Sequence, residues 1–268
     1  MTLDEKFRNL KNRLKAMDRV IIAFSGGVDS TFLLKAASMS GLREVLAVTG
    51  QSESMPAEEF SFTKEITCSL HVKHRIISTD ELKDENYSKN PPDRCYYCKK
   101  ELFRKLKDIA GKEDFPFVLD GTNSDDGKDW RPGRRAADEE GVESPLFDVG
   151  LSKEEIRELS KSLGLPTWNK PATPCLSSRF PYGQKITAES LERVSRAETF
   201  LKKFGVKELR VRNHSEVARI EIHPDDFNRI MDTSVRKEIV NYLKSIGFTY
   251  ITLDLEGFRS GSGNELLF

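Results

Sequence analysis

The sequence has no surplus of charge: lysine and arginine number 43, and so do aspartate and glutamate. A balance of this kind gives no net field that draws the whole chain onto nucleic acid or a membrane, and leaves only local basic patches for such partners. Long apolar runs are missing as well. The most obvious one, Val20–Phe24, falls far short of the roughly 20 residues of a membrane-spanning helix. The opening stretch MTLDEKFRNLKNRLKAMDR is too charged for a secretory signal. These absences predict a cytoplasmic protein with no membrane partner. Cysteine is scarce: Cys68, Cys95, Cys98 and Cys175 are all there are, too few for a disulfide framework in a chain this size. Internal repeats and low-complexity tracts are absent too.

What is present is an alternation of two patterns. Apolar, strand-like stretches at 20–24, 44–50, 72–79 and 116–122 are separated by helix-like stretches at about 30–39, 58–71 and 98–111. A short helix follows near 134–140. Ser152-Lys153-Glu154-Glu155 is a capping box that opens another helix, with Ile156, Leu159 and Leu163 on one face and Gly164 as its stop. This rhythm predicts an α/β domain, a mostly parallel sheet with helices on both faces. Residues 166–184 carry four prolines and no periodicity, as a linker or an active-site loop would. Beyond them, a helix capped by Thr187, a hairpin of KELRVRN and EVARIEI about Asn213–Ser215, a helix over 225–246 and a third strand in FTYITLDL predict a smaller α+β unit. The expected division is a first domain at 1–170, a loop at 171–184 and a second domain at 185–268.

The first strand runs directly into Ser25-Gly26-Gly27-Val28-Asp29-Ser30. Two glycines let the backbone turn sharply and approach a ligand without a Cβ in the way. The helix that follows aims free N–H groups and its positive end at the turn, which favours phosphate. The hydroxyls of Ser25 and Ser30 can donate to phosphate oxygens, while Asp29 repels phosphate unless a cation such as Mg²⁺ lies between. A plain strand-to-helix turn is the alternative. No Gly-Lys-Ser/Thr follows and no Gly-x-Gly-x-x-Gly is present. S-G-G-x-D-S after an apolar strand resembles the PP-loop of ATP pyrophosphatases, whose families cleave ATP between the α and β phosphates. A second loop, Asp120 to Asp126, lies at the carboxyl end of the 116–122 strand, where open parallel sheets bind ligands. Asp125 and Asp126 are its candidate Mg²⁺ or substrate contacts.

Cys95 and Cys98 stand three residues apart near a predicted helix start, beside Arg94, Lys99 and Lys100. Both features lower thiol pKa. A zinc site completed by Cys175 and a histidine, a dithiol redox pair, an iron–sulfur cluster on three cysteines and a merely structural pair all remain open. Cys175 lies in irregular chain beside Arg179, as an available thiolate would. Cys68, among Phe62, Ile66 and Leu70, is expected to fill core. In the smaller unit Arg210 and Arg212 share one strand face, as do Arg219 and Glu221 on the next strand. A salt-laced solvent face is the ordinary explanation of that pattern.

SGGVDSTFLL, RCYYCKKELF, DGTNSDDGKDWRPGRRAADEEGVESPL, PCLSSRFPYG, LRVRNH, ARIEI and GFRSGS together resemble, in this order, the LarE family of PP-loop sulfur transferases. The resemblance covers nearly the whole chain. It implies a HUP-like PP-loop fold, ATP and Mg²⁺ (at Asp29), and a small-molecule substrate, pyridinium-3,5-biscarboxylic acid mononucleotide. Its carboxylates are adenylated and converted to thiocarboxylates for a nickel-pincer nucleotide cofactor. It implies ATP contacts from Ser25, Gly26, Gly27, Val28, Asp29, Ser30 and Asp125. Arg179, Arg210, Arg212 and Arg259 become substrate or phosphate contacts, and Cys175, Cys95, Cys98, Arg212 and Glu221 become the catalytic set. In single-cysteine members the residue matching Cys175 gives up its own sulfur. Three-cysteine members bind a 4Fe–4S cluster, so Cys95, Cys98 and Cys175 become its ligands here, recharged by external sulfide or another sulfur donor. A homo-oligomer, a hexamer by resemblance, is expected. A tRNA thiolase and a non-catalytic nucleotide- or zinc-binding module are the rival readings.

Overall fold

The computed structural model describes residues 1–127, 132–259 and 262. Lys128–Arg131 of the aspartate-rich motif and Ser260–Gly261 of GFRSGS lie outside them. The chain separates into two units. The first comprises Met1–Tyr87 and Asp93–Thr173, the second Ser88–Pro92 and Pro174–Phe268.

In chain order the first unit carries α1 (Leu3–Lys15), β1 (Arg19–Ala23), α2 (Val28–Ser38), β2 (Glu44–Gln51), α3 (Ala57–Ser69) and β3 (Lys73–Ser78). The short α4 (Glu85–Ser88) crosses the boundary between the units. Then come α5 (Arg94–Lys112), β4 (Phe117–Leu119), α6 (Pro132–Glu139), α7 (Pro145–Asp148) and α8 (Lys153–Ser162). The sheet order is β3-β2-β1-β4 and every pairing is parallel. The apolar run on β1 has a direct cause. Val20 and Ile22 enter one core with Leu10, Leu14, Phe32 and Ile156, while Ile21 and Ala23 enter another with Phe103, Leu106 and Ala136. A strand buried on both faces reads as continuously hydrophobic. Strand order reverses about β1: β2 and β3 extend to one side and β4 to the other. This is the switch point at which open α/β sheets bind ligands beyond the carboxyl ends of their strands.

The second unit carries α9 (Ala188–Lys202), β5 (Leu209–His214), β6 (Val217–Ile222), α10 (Phe227–Met231), α11 (Thr233–Ser245) and β7 (Tyr250–Leu253). β5 and β6 form the expected hairpin, and β7 joins β6 in parallel. Leu201, Val211, Ile220, Ile222 and Leu243 form its core.

Two expectations are corrected here, and one open alternative is closed. The helix over 225–246 is two helices, because Asp232 adopts extended backbone and its carboxylate accepts from the N–H groups of Ser234 and Val235. It is an N-cap, and a cap starts a helix anew. Cys68 is exposed. The buried side of α3 is drawn by Thr63, Ile66 and Thr67, and at 100° per residue a position two beyond Ile66 points away from it. Arg210, Arg212 and Glu221 are buried, not solvated, at 7%, 4% and 1% exposure.

Candidate active site

The Ser25–Ser30 turn sits at the end of β1, at the switch point. Gly26 has φ of 72°, in the left-handed region that glycine enters freely, and a Cβ there would come within 3.0 Å of the Thr63 side chain. The hydroxyls of Ser25 and Ser30 lie 3.1 Å apart across the turn, and Gly27 N–H donates to Ser25 Oγ at 3.4 Å. Gly27 precedes α2 and has no side-chain cap, so the N–H groups at this helix start face the turn, as an anion requires. Val28 and Asp29 form the first turn of α2. His74 supports the turn from behind: it contacts Thr49 Oγ1 at 2.8 Å, and Thr49 Oγ1 donates to the carbonyl of Phe24 at 2.8 Å. Burial, aided by the charge of Lys64, holds the imidazole below its ordinary pKa.

The loop after β4 closes against this turn. A Cβ on Gly121 would lie 2.9 Å from Ser30 N and 3.2 Å from Ser30 Cα, so only glycine lets the two backbones meet. Asp120 organises its own loop through Thr122 and Ser144. Asp126 caps Asn123 N–H at 3.1 Å. Asp125 accepts from Lys153 N–H at 2.8 Å, and Lys153 Nζ lies 2.6 Å from Asp29 Oδ2. Lys153 thus ties Asp125 to Asp29. The other oxygen, Asp29 Oδ1, is buried with no hydrogen-bond partner among the described residues. That orphaned acceptor fits a divalent cation, so Asp29 is the residue that would hold Mg²⁺. Lys170 Nζ reaches the carbonyl of Gly26 at 3.2 Å and Glu59 at 2.7 Å. Reading the sequence alone misses Gly121, Lys153 and Lys170. Only Lys153 carried a signal, inside the capping box, and it marked a helix start. Gly121→Ala is expected to shift the loop and raise KM for ATP about 10-fold, consistent with the ~1–3 kcal/mol of overpacking; nucleotide titration checks it.

The second unit holds the other group. Cys175 is half-buried and immediately precedes a short 3-10 turn, Leu176–Arg179. Arg179 binds both oxygens of Glu198, at 2.8 and 3.1 Å, and donates to the carbonyls of Pro174 and Cys175 and to Ser178 Oγ. These contacts hold the cysteine loop. Arg212 bonds Glu221 at 2.9 Å, the Ser178 carbonyl at 2.7 Å and Ser262 Oγ at 2.7 Å. Arg210 donates to the Arg259 carbonyl at 3.3 Å and lies 4.6 Å from the centre of the Phe258 ring. Burial, then the nearby charges of Arg212 and Arg179, lower its pKa, yet a guanidinium stays protonated. Arg179 and Arg212 each have a glutamate partner; Arg210 has no carboxylate partner among the described residues. The surplus positive charge favours an anion.

Cys95 and Cys98 lie in the first unit, at the start of α5; Cys95 is exposed and Cys98 half-buried. Lys100, one of the cations expected to act on these thiols, is bonded to Glu139 and the Tyr96 hydroxyl, which raise its pKa. Among the described residues no three His, Cys, Asp or Glu side chains gather to hold a metal ion. The thiols suit a 4Fe–4S cluster chemically; Cys95 and Cys98 belong to the first unit and Cys175 to the second.

The sequence model of the family described as Queuosine biosynthesis protein QueC matches residues 19–89, the stretch from β1 to just past α4. The pyridinium-3,5-bisthiocarboxylic acid mononucleotide synthase of Lactiplantibacillus plantarum is 41% identical over 268 residues, covering 99% of this chain and 96% of its own. The chain belongs to that synthase family, LarE. An uncharacterized Synechocystis protein is 43% identical over 99% of both chains. The tRNA-specific 2-thiouridylase MnmA 1 of Thermoanaerobacter pseudethanolicus is 26% identical over 69% of this chain and 62% of its own. As a LarE-family member the protein is an ATP-dependent sulfurtransferase. Its fold is the PP-loop, HUP-like α/β sheet with a smaller three-stranded unit. No helix among the described residues is long and apolar enough to cross a membrane.

Proposed function

We propose that the protein adenylates the carboxylates of pyridinium-3,5-biscarboxylic acid mononucleotide and replaces an oxygen of each with sulfur. The observation that carries this reading is that one chain holds both an anion-ready glycine turn at a switch point, in its first unit, and a buried arginine cluster beside a cysteine loop, in its second. The turn, with Ser25, Gly26, Gly27, Val28, Ser30 and Asp125 about it, receives the triphosphate. Asp29 would hold Mg²⁺, which neutralises phosphate charge when bound. A substrate carboxylate oxygen attacks the α-phosphorus, and the α–β bridging bond breaks with its electron pair leaving on pyrophosphate. Adenylation turns a poor leaving group into AMP and exposes an electrophilic carbonyl carbon. A sulfur nucleophile adds there and AMP departs. Arg210 is the cation available for the mononucleotide's anionic groups, and Arg212, Glu221 and Arg259 frame it. Purified protein given ATP, Mg²⁺ and the biscarboxylate is expected to release AMP and pyrophosphate and to form a thiocarboxylate, read by mass spectrometry. Salt-sensitive binding of tRNA with no turnover of the biscarboxylate would instead favour the tRNA thiolase.

For the sulfur source, our finer reading is that Cys95, Cys98 and Cys175 ligate a 4Fe–4S cluster recharged by external sulfide. All three are free of disulfides, and thiolates are the ordinary ligands of such clusters. Anaerobically purified protein is expected to contain iron, and Cys95→Ala to lose most of it. Iron-free protein that loses the elements of H₂S from Cys175 after one turnover would establish the sacrificial route. The same reading has the protein working in the cytoplasm as a homo-oligomer.

A further inference from the structure

Two lysines touch the Ser25–Ser30 turn, and they differ in how firmly they are held. Lys170 is 16% exposed, bonded to Glu59 and the Gly26 carbonyl, and lies over the Phe62 ring. Lys153 is 38% exposed, and among the described residues its ammonium meets a single group, Asp29 Oδ2, at 2.6 Å. A half-exposed ion pair contributes little net stability and is readily exchanged. The backbone of Lys153 is not free to leave, however. Its N–H is fixed to Asp125, and the Ser152–Glu155 capping box sets the start of α8. The side chain can swing while its base stays at the rim of the nucleotide site.

Asp29 is 22% exposed, yet its two carboxylate oxygens are unevenly served. One oxygen is paired with Lys153 and the other, Oδ1, is buried without a hydrogen bond among the described residues. A divalent cation bound there makes the ammonium redundant and electrostatically unwelcome, at the moment when phosphate charge arrives beside it.

We infer that Lys153 is an exchangeable counter-ion of the nucleotide site: it neutralises Asp29 in the resting protein and moves to the pyrophosphate portion of ATP when the metal takes Asp29. This rests on the ATP-cleaving reading above. In the adenylation step the breaking α–β bond leaves its electron pair on pyrophosphate, and Lys153 offsets that developing charge without exchanging a proton. It contacts the leaving group and takes no part in the sulfur step.

The inference makes opposite predictions for cation and anion in one variant. In Lys153→Met, Mn²⁺ binding to nucleotide-free protein, read by electron paramagnetic resonance, is expected to tighten, because Asp29 has lost its competitor. Magnesium pyrophosphate affinity, read by calorimetry, is expected to fall ~10- to 100-fold, the range for a charged hydrogen bond. KM for ATP should rise in parallel while KM for the pyridinium substrate stays within about twofold. Lys153→Arg should keep both affinities near wild type. A residue that merely props the fold would weaken both ligands or neither. Unchanged pyrophosphate affinity, or weaker Mn²⁺ binding, in a Lys153→Met protein with wild-type circular dichroism overturns the assignment. If wild-type protein binds no magnesium pyrophosphate, the ATP-cleaving reading falls first and the role of Lys153 with it.

Discussion

Cys175→Ala is expected to cut thiocarboxylate formation by ~10³-fold or more while substrate-dependent ATP–pyrophosphate exchange continues near the wild-type rate. The reason lies in the separation of tasks. Every predicted ATP contact lies in the first unit, whereas Cys175 belongs to the second. The thiol is half-buried on a loop whose carbonyls are held by Arg179, and Arg179 is itself clamped to Glu198. Removing the sulfur leaves those backbone bonds in place, so the variant should fold and still form the acyl-adenylate. Both sulfur routes predict this loss, and a variant that retains turnover would remove Cys175 from the chemistry altogether. Radiolabelled pyrophosphate exchange and product mass, measured on the same preparation, separate the two steps.

Glu221→Ala should be the most damaging change in the smaller unit, lowering its unfolding free energy by about 3–5 kcal/mol. Glu221 is 1% exposed and accepts from Arg212 at 2.9 Å and from Arg219 at 3.1 Å. Truncation leaves a buried guanidinium beside Arg210, which has no carboxylate partner among the described residues. Urea titration gives the stability loss. Arg212→Met combined with Glu221→Leu is expected to recover most of it, since an apolar pair of similar volume often replaces a buried ion pair without cost. That double variant should stay inactive, which would locate the value of the charges in anion recognition. Full activity in the rescued protein would defeat the argument.

The sheet was legible from sequence because its signals are local. A doubly buried strand must be apolar throughout, and Val20–Ala23 is; a capping box announces itself at Ser152 and Glu155. The glycine turn was legible for the same reason. What escaped depends on contacts across the chain. Lys153 lies 124 positions from Asp29, and nothing in a capping box says where its ammonium points. Gly121 looks like any turn glycine until Ser30 is found against it. Asp232 was hidden because an apolar pattern at helical spacing continues on both sides of it. The burial of Arg210, Arg212 and Glu221 was hidden by alternation, since period two identifies which residues share a strand face and not which face is wet.

The boundary between the units has a consequence for how the protein is made. Ser88–Pro92 belongs to the second unit, where the Ser88 and Asn90 carbonyls accept from Ile186 and Gly183 and the Asn90 amide donates to Pro181. On the ribosome this pentapeptide emerges long before its partners, so its polar groups stay bonded to water until residues 181–186 are translated. A gene fragment beginning at Pro174 would omit it. The smaller unit therefore cannot be transplanted by a single cut, and the two halves are inherited as one piece.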